Sequence, residues 1–327
     1  MSPGGWAIFG RMGGSAIGLL LLLAVPTGAL HLPSVAAAGQ VALPRPAADG
    51  RTSPPTAALP AVGTLAAACT APTLLGFWKT EYGVSYAYGA AMAACGALTL
   101  PAAATCGTLA RAHALVLVLY GVRLNSFLLF REATIPRFRK FREKIEERTK
   151  QSGSRLKRAP FVLGCSLLYY CMGAPLMVTA AAPAAGVART ALAIEVGLMY
   201  AGFAVAAIGD LQKTLVKAKE GEDALVRTGL FRWLRHPNYT GELLLWGTSA
   251  AAALTLAPTA VAAGVPMRAV GGWLIAAVTG YAGIAFVLVG AATGLEKRQR
   301  EKYGAAVGAE SGAYEDWVAR SWAGPTK

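Results

Sequence analysis

Charged residues are scarce in this chain. Only 15% of its 327 residues are Asp, Glu, Lys or Arg, while 55% are hydrophobic, and an average soluble domain carries about 25% charged residues. A deficit of this size, together with apolar runs of about 20 residues, indicates a protein whose solvent is largely a lipid bilayer. We therefore expect an all-α integral membrane protein, because a helix satisfies every backbone polar group over such a span.

Metal-binding patterns are also lacking. The chain has five cysteines and three histidines, and no two cysteines stand in Cys-x-x-Cys spacing. All five cysteines lie in or beside apolar stretches, so buried free thiols are favoured over a disulfide framework or a metal site. Three histidines are too few for a histidine-rich metal centre, so no metal ligand is predicted.

The net charge of +14 does not indicate nucleic acid as a partner, because the basic residues are grouped between apolar runs. The three basic groups lie at residues 131–158, 213–235 and 297–302. Two predicted spans separate each group from the next, so all three fall on one side of the membrane. The positive-inside rule assigns that side to the cytosol, or to the stroma in a plastid.

The N-terminal residues are typical of a targeting address. A short apolar run at residues 15–25 and small residues at 27–29 predict a signal peptide over residues 1–30. Residues 31–58 are rich in Ala and Pro, which suits either a transit-like segment or a disordered linker. The address predicts a membrane of the endoplasmic reticulum or of a plastid.

Residues 59–327 are predicted to form one multi-pass membrane domain of about six to seven helices. The segments are a marginal one at 59–77 and clear ones at 84–104, 109–130, 159–182, 188–209, 241–264 and 268–292. Residues 138–150 are predicted to be a helix, either lying on anionic lipid or solvated with charge pairs along its surface.

Polar side chains are concentrated where one span begins, in the sequence Arg-His-Pro-Asn-Tyr-Thr-Gly-Glu at residues 235–242. A carboxylate at mid-bilayer costs about 2.5–3.5 kcal/mol, and less near the interface. Glu242 therefore needs compensation from Arg235, His236 or a polar ligand, unless it only stabilises the helix N-terminus. The convergence of these residue types favours a functional site.

Residues 229–242, Gly-Leu-Phe-Arg-Trp-Leu-Arg-His-Pro-Asn-Tyr-Thr-Gly-Glu, resemble the C-terminal motif of the steroid 5α-reductase-like superfamily. The likeness is strongest to a branch of unknown function often labelled "3-oxo-5-alpha-steroid 4-dehydrogenase C-terminal". Sterol C14-reductases and isoprenylcysteine methyltransferases are more distant relatives. Segments at 120–131, 210–217 and 295–317 match in order, so the resemblance covers about residues 78–322, and the motif region is 210–322.

The resemblance implies an NADPH pocket on the basic side of the membrane. Lys217, Arg227 and Arg235 match positions that hold phosphates, which suit guanidinium geometry, while Asp210 and Asn238 match positions that hold the ribose or the nicotinamide amide, as does Glu242. His236 is expected to hydrogen-bond in the pocket, and Tyr239 to stack or hydrogen-bond. The cofactor-binding residues implied in this way are Asp210, Lys217, Arg227, Arg235, His236, Asn238 and Tyr239.

Tyr120 and Glu242 are the catalytic residues that the resemblance implies. Tyr120 matches a tyrosine that polarises a substrate carbonyl while hydride adds to the β-carbon, and Glu81 is the nearest candidate for its carboxylate partner. The expected enzyme is an NADPH-dependent oxidoreductase that acts on a C=C bond of a lipophilic steroid, isoprenoid or lipid enone among membrane lipids.

Two other functions stay open. One is an S-adenosylmethionine-dependent methyltransferase of the isoprenylcysteine or phospholipid type, which shares the Arg-His-Pro core. The glutamate directly after Gly241 favours the reductase, and so does the absence of paired glutamates at Glu296 and Lys297. The other is a non-enzymatic lipid- or sterol-binding membrane protein. The sequence indicates no oligomeric state.

Overall fold

The structure, a computed structural model, describes residues 58–150, 154–304 and 309–324. The predicted signal peptide at residues 1–30 lies outside the described residues, and the transit-like or linker stretch at 31–58 lies outside them except for its last residue.

Every named secondary-structure element in the described residues is helical, and these residues contain no strand. The longer helices are α1 (Val62–Thr73), α2 (Tyr86–Thr105), α3 (Thr108–Thr134), α4 (Pro136–Lys150), α5 (Ala159–Gly173), α6 (Gly186–Glu220), α7 (Pro237–Ala262), α8 (Met267–Gln299) and α9 (Ala309–Arg320). Short helical segments lie at Leu75–Trp78, Thr80–Gly83, Arg155–Arg158, Pro175–Thr179, Gly229–Arg232 and Arg300–Gly304.

Six helical segments are long and apolar enough to cross a membrane, and they coincide with the six clear apolar segments of the sequence. They are Thr80–Thr105, Thr108–Thr134, Arg155–Thr179, Gly186–Glu220, Pro237–Ala262 and Met267–Gly304. The marginal segment is the shorter apolar stretch Val62–Trp78, with Pro72 inside α1. The predicted all-α multi-pass fold is therefore confirmed.

The described residues fold into two compact units. The N-terminal unit contains residues 58–150, 154–197 and 248–282, and the motif unit contains residues 198–247, 283–304 and 309–324. The sequence prediction treated residues 59–327 as one domain.

Glycine lets helices approach closely in the N-terminal unit. A Cβ on Gly121 of α3 would lie 2.1 Å from the carbonyl oxygen of Gly89 in α2, and a Cβ on Gly96 would lie 2.5 Å from that of Ala114. Small residues at such contacts are typical of helix packing in membranes, where backbone proximity provides the van der Waals contact. The five cysteines are free and buried, as predicted.

Within the N-terminal unit, helix α4 packs against its neighbours through charged side chains. Arg142 Nη1 lies 3.1 Å from Glu132 Oε2, and Arg158 Nη2 lies 3.4 Å from Glu146 Oε1. Arg158 Nη1 also donates to the three main-chain carbonyls of residues 76–78. The predicted helix is confirmed, but its inward face is held by ion pairs, an arrangement that neither sequence interpretation included.

Candidate functional site

The motif unit is assembled around a contact between α6 and α7 that only glycine permits. A Cβ on Gly241 would lie 2.4 Å from the carbonyl oxygen of Gly202, and one on Gly209 would lie 3.0 Å from the main-chain nitrogen of Asn238. Asp210 and Glu242 follow two of these glycines in sequence. The close approach therefore holds both carboxylates at the α6–α7 contact.

Most of the predicted site residues are buried within this one unit. Their side chains are at most 7% exposed, and they are Asp210, Arg235, His236, Asn238, Tyr239 and Glu242. The rings of His236 and Tyr239 stack, with centroids 5.8 Å apart and an interplanar angle of 23°. A set of buried groups this polar requires internal partners or a polar ligand.

Glu296 of α8 joins the set, and the sequence interpretation gave it no role in the pocket. Its Oε1 atom lies 3.1 Å from His236 Nε2 and 3.3 Å from Arg235 Nε. Glu296 is a lone acidic residue between the apolar part of α8 and the basic residues that follow. An acidic residue at that position is the signal that could have identified it.

Arg235 is a buried cation, 5% exposed, whose Nε forms an ion pair with Glu296 at 3.3 Å. Its main-chain nitrogen donates to the carbonyl of Trp322 at 2.9 Å. Among the buried side-chain atoms that the structure describes, Nε of Arg235 makes no hydrogen bond, so its contact with Glu296 is an ion pair only. A buried guanidinium without its full set of partners is costly, and the pair of terminal nitrogens suits a bidentate anion.

Burial lowers the pKa of His236 below its ordinary value, although the hydrogen bond and the charge of Glu296 act in the opposite direction. The charges of Lys213 and Arg235 lower it further. The neutral imidazole is therefore the favoured form near neutral pH. A neutral His236 can hydrogen-bond, as its contact with Glu296 shows, and its role toward a cofactor stays a prediction.

Trp317 and Trp322, near the C-terminus, form hydrogen bonds with the main chain of residues 231–235, within the motif. Trp322 N donates to Trp233 O at 2.8 Å, which with the bond from Arg235 N forms a short parallel bridge. Trp317 Nε1 of α9 donates to Phe231 O at 2.6 Å. Three main-chain groups in residues 231–235, the carbonyls of Phe231 and Trp233 and the N–H of Arg235, are therefore hydrogen-bonded to the C-terminal residues 317–322, the tail.

Lys217 and Arg227, two residues predicted to bind phosphate, are not among the buried residues of the site. Lys217 donates to the carbonyls of Glu222 and Ala224, in the loop that begins at Gly221 with φ +95°, so its ammonium supports the end of α6. Arg227 is exposed. Cofactor binding by either residue stays a prediction.

Tyr120, the predicted catalytic tyrosine, lies in the N-terminal unit and is 1% exposed. Its ring centroid is 5.5 Å from that of Tyr88, which stacks on Tyr169 at 5.4 Å. Tyr169 donates to Gly83 O at 3.0 Å. The three tyrosines form a buried aromatic row that fixes the orientation of the Tyr120 ring.

Glu81, the candidate partner of Tyr120, is also buried, but neither of its carboxylate oxygens accepts a hydrogen bond within the described part of the chain. A hydrogen bond between Glu81 and Tyr120 is therefore not formed in this structure. The nearby Glu132 accepts hydrogen bonds from Tyr82 at 2.6 Å and Tyr86 at 2.8 Å.

A known family covers the six candidate spans and the motif. The family model described as "Protein of unknown function (DUF1295)" matches residues 75–304, so residues 309–324 lie beyond the match. No curated protein and no solved structure matches the chain. With a match over more than half of its length, the chain belongs to this family of unknown function.

Proposed function

We propose that the chain is a membrane-embedded, NADPH-dependent reductase that saturates a C=C bond in a lipophilic substrate. The proposal combines the buried polar set of the motif unit with the resemblance of residues 229–242 to the steroid 5α-reductase-like superfamily. The substrate class is that of steroid, isoprenoid or lipid enones, which partition into the bilayer that the six spans require.

Arg235 is the observation that carries the proposal. A cation 5% exposed, whose ion pair within the described residues is made through Nε, has two terminal nitrogens that can bind an anion in bidentate fashion, as phosphate groups are bound. A charge placed there only to set membrane topology would not be buried. The guanidinium therefore fits the pyrophosphate or phosphate of a dinucleotide.

Other buried polar residues of the motif unit suit the other parts of a dinucleotide. Asp210 and Glu242 are acceptors for ribose hydroxyls or for the amide of the nicotinamide, and Asn238 can both donate and accept. When bound, the cofactor would supply hydride to the substrate. Tyr120, by the resemblance, would donate a hydrogen bond to the substrate carbonyl as a neutral group, which costs less in lipid than a charged donor.

A second candidate function has one observation in its favour. Three carboxylates, those of Asp210, Glu242 and Glu296, belong to the same unit as the buried Arg235. Carboxylates also suit the positively charged sulfonium and amino groups of S-adenosylmethionine. The methyltransferase is therefore the alternative that the experiment has to separate from the reductase.

The deciding experiment is a binding titration of the purified protein in nanodiscs with NADPH, NADH and S-adenosylmethionine. We expect NADPH to bind, and to be oxidised when a lipophilic enone is added. Arg235→Ala should abolish NADPH binding, whereas Glu301→Gln, at an exposed position, should not. Binding of S-adenosylmethionine without NADPH would replace the reductase with the methyltransferase.

The address at residues 1–58 supports a location in the endoplasmic reticulum or in a plastid membrane. Immunolocalisation of the untagged protein distinguishes the two organelles. Detection in any other membrane would contradict both.

A further inference from the structure

Glu296 contacts two consecutive residues of the motif through a single oxygen atom. Its Oε1 lies 3.1 Å from His236 Nε2 and 3.3 Å from Arg235 Nε. Glu296 is 25% exposed on its side chain, whereas Arg235 and His236 are 5% and 1% exposed. The carboxylate therefore stands at the boundary of the buried set, with both motif side chains on its inner side.

The contact with His236 selects one form of the imidazole. A carboxylate accepts hydrogen bonds, so the ring nitrogen that faces it carries the proton. In the neutral ring Nε2 is then the donor, and Nδ1 is left as an acceptor. Without Glu296, His236 Nε2 would lose the acceptor that favours a proton on Nε2 over one on Nδ1.

The contact with Arg235 selects an orientation of the guanidinium. Glu296 engages the Nε edge, and an arginine held by that edge presents its two terminal nitrogens as a pair. The contact on Nε is an ion pair at 3.3 Å, and that nitrogen makes no hydrogen bond in the described residues. The ion pair thus keeps the bidentate face of Arg235 available for an anion.

We propose that Glu296 is a positioning residue of this site, which fixes the tautomer of His236 and the orientation of Arg235 for an anionic ligand. The inference rests on the proposed function only for the identity of that ligand, a nicotinamide dinucleotide. The contacts themselves exist without any ligand. The two claims can therefore fail separately.

Histidine NMR tests the positioning directly, because the chain has only three histidines: His31, His113 and His236. With ¹⁵N-histidine in nanodiscs and His236→Gln to identify the signal, the wild type should show His236 with its proton on Nε2. In Glu296→Ala that preference should be lost. In Glu296→Gln the amide oxygen still accepts, so the tautomer should persist.

The pH titration of the same signal gives a second readout. The hydrogen bond and the charge of Glu296 both raise the pKa of His236 against the effect of burial, while Lys213 and Arg235 lower it. Its midpoint should move to more acidic pH in Glu296→Gln and Glu296→Ala. The matched control Glu301→Gln should leave it unchanged, since Glu301 is exposed and lies on the next helical segment.

Cofactor affinity completes the test. Outer partners of metal ligands contribute about 10–100-fold in affinity, and by analogy we expect Glu296→Ala to weaken NADPH binding about tenfold, with partial rescue by Glu296→Asp. Unchanged His236 signals in Glu296→Ala would overturn the positioning role of Glu296, regardless of which ligand the protein binds. Altered signals in a protein whose wild type binds no dinucleotide would support the positioning role and refute the reductase.

Discussion

Arg235 is a buried, positively charged residue in the motif. It stands next to the start of α7, its main chain is bonded to the tail at Trp322, and its guanidinium is paired on one edge by Glu296. Lysine would keep the charge but not the pair of coplanar donors. A conservative substitution therefore separates a requirement for charge from a requirement for geometry.

We predict that Arg235→Lys weakens NADPH binding about tenfold or more, since a hydrogen bond to a charged group contributes about 1.5–3 kcal/mol and 1.4 kcal/mol corresponds to about tenfold. Isothermal titration calorimetry in nanodiscs measures the change. Arg320→Lys, in an exposed pair with Asp316, is the control and should bind normally. Equal affinity for all three proteins would show that Arg235 is not a ligand.

His236 gives a prediction about pH. Because burial lowers its pKa in the folded protein, the unfolded chain takes up a proton near pH 6.5 while the folded chain does not. The stability should therefore fall as the pH drops below about 6.5, and this part of the loss should be absent in His236→Gln. The measurement is the thermal midpoint of both proteins between pH 5 and 8, and parallel curves would contradict the prediction.

At the scale of elements, the contact between α6 and α7 is set by Gly202 and Gly241. Neither helix has room for a side chain there, because the atoms that a Cβ would meet at 2.4–2.5 Å belong to the opposing backbone. A backbone cannot move aside as the end of a side chain can. The two helices must therefore separate or shift if either glycine acquires a side chain.

We predict that Gly241→Ala destabilises the protein by about 1–3 kcal/mol, as overpacking does in close-packed interiors, and also weakens NADPH binding. Gly290→Ala in α8 is the matched control, since no atom lies within 4 Å of its Cβ position. A thermal-shift assay compares the two. An unchanged midpoint for Gly241→Ala would mean that the helices do not approach as closely as described.

The tail gives a second comparison between matched residues. Trp317 donates its indole N–H to Phe231 O at 2.6 Å and is 5% exposed, whereas Trp322 is 57% exposed. We predict that Trp317→Phe costs about 1–3 kcal/mol, because a buried carbonyl loses its donor, and that Trp322→Phe costs little. Denaturant unfolding followed by circular dichroism measures both, and equal effects would contradict the assigned hydrogen bond.

At the scale of the whole molecule, the basic residues predict which loops face the same side of the membrane. The five native cysteines are buried, so an introduced surface cysteine is readily detected. We predict that Lys144→Cys and Ala218→Cys react with an impermeant maleimide from one side of sealed vesicles, and Ala185→Cys and Ala263→Cys from the other. Labelling of Lys144→Cys and Ala263→Cys from the same side would refute this topology.

The sequence predicted the spans well because an apolar run of about 20 residues has few alternatives in lipid. It also identified the buried polar residues around Arg235, since a carboxylate such as Glu242 is unusual where a span begins. It could not predict the contact with Glu296, which lies 60 residues from His236. It likewise missed the ion pairs of α4, because local periodicity does not show which face meets another helix.

The main-chain β-bridge between Leu234 and Trp322 has a practical consequence for handling the protein. An affinity tag or fluorescent fusion attached just after the tail would pull on the same few main-chain bonds that hold Arg235 in place. Loss of activity in such a fusion would then be an artefact of tagging. Surface immobilisation through the C-terminus is best avoided for the same reason.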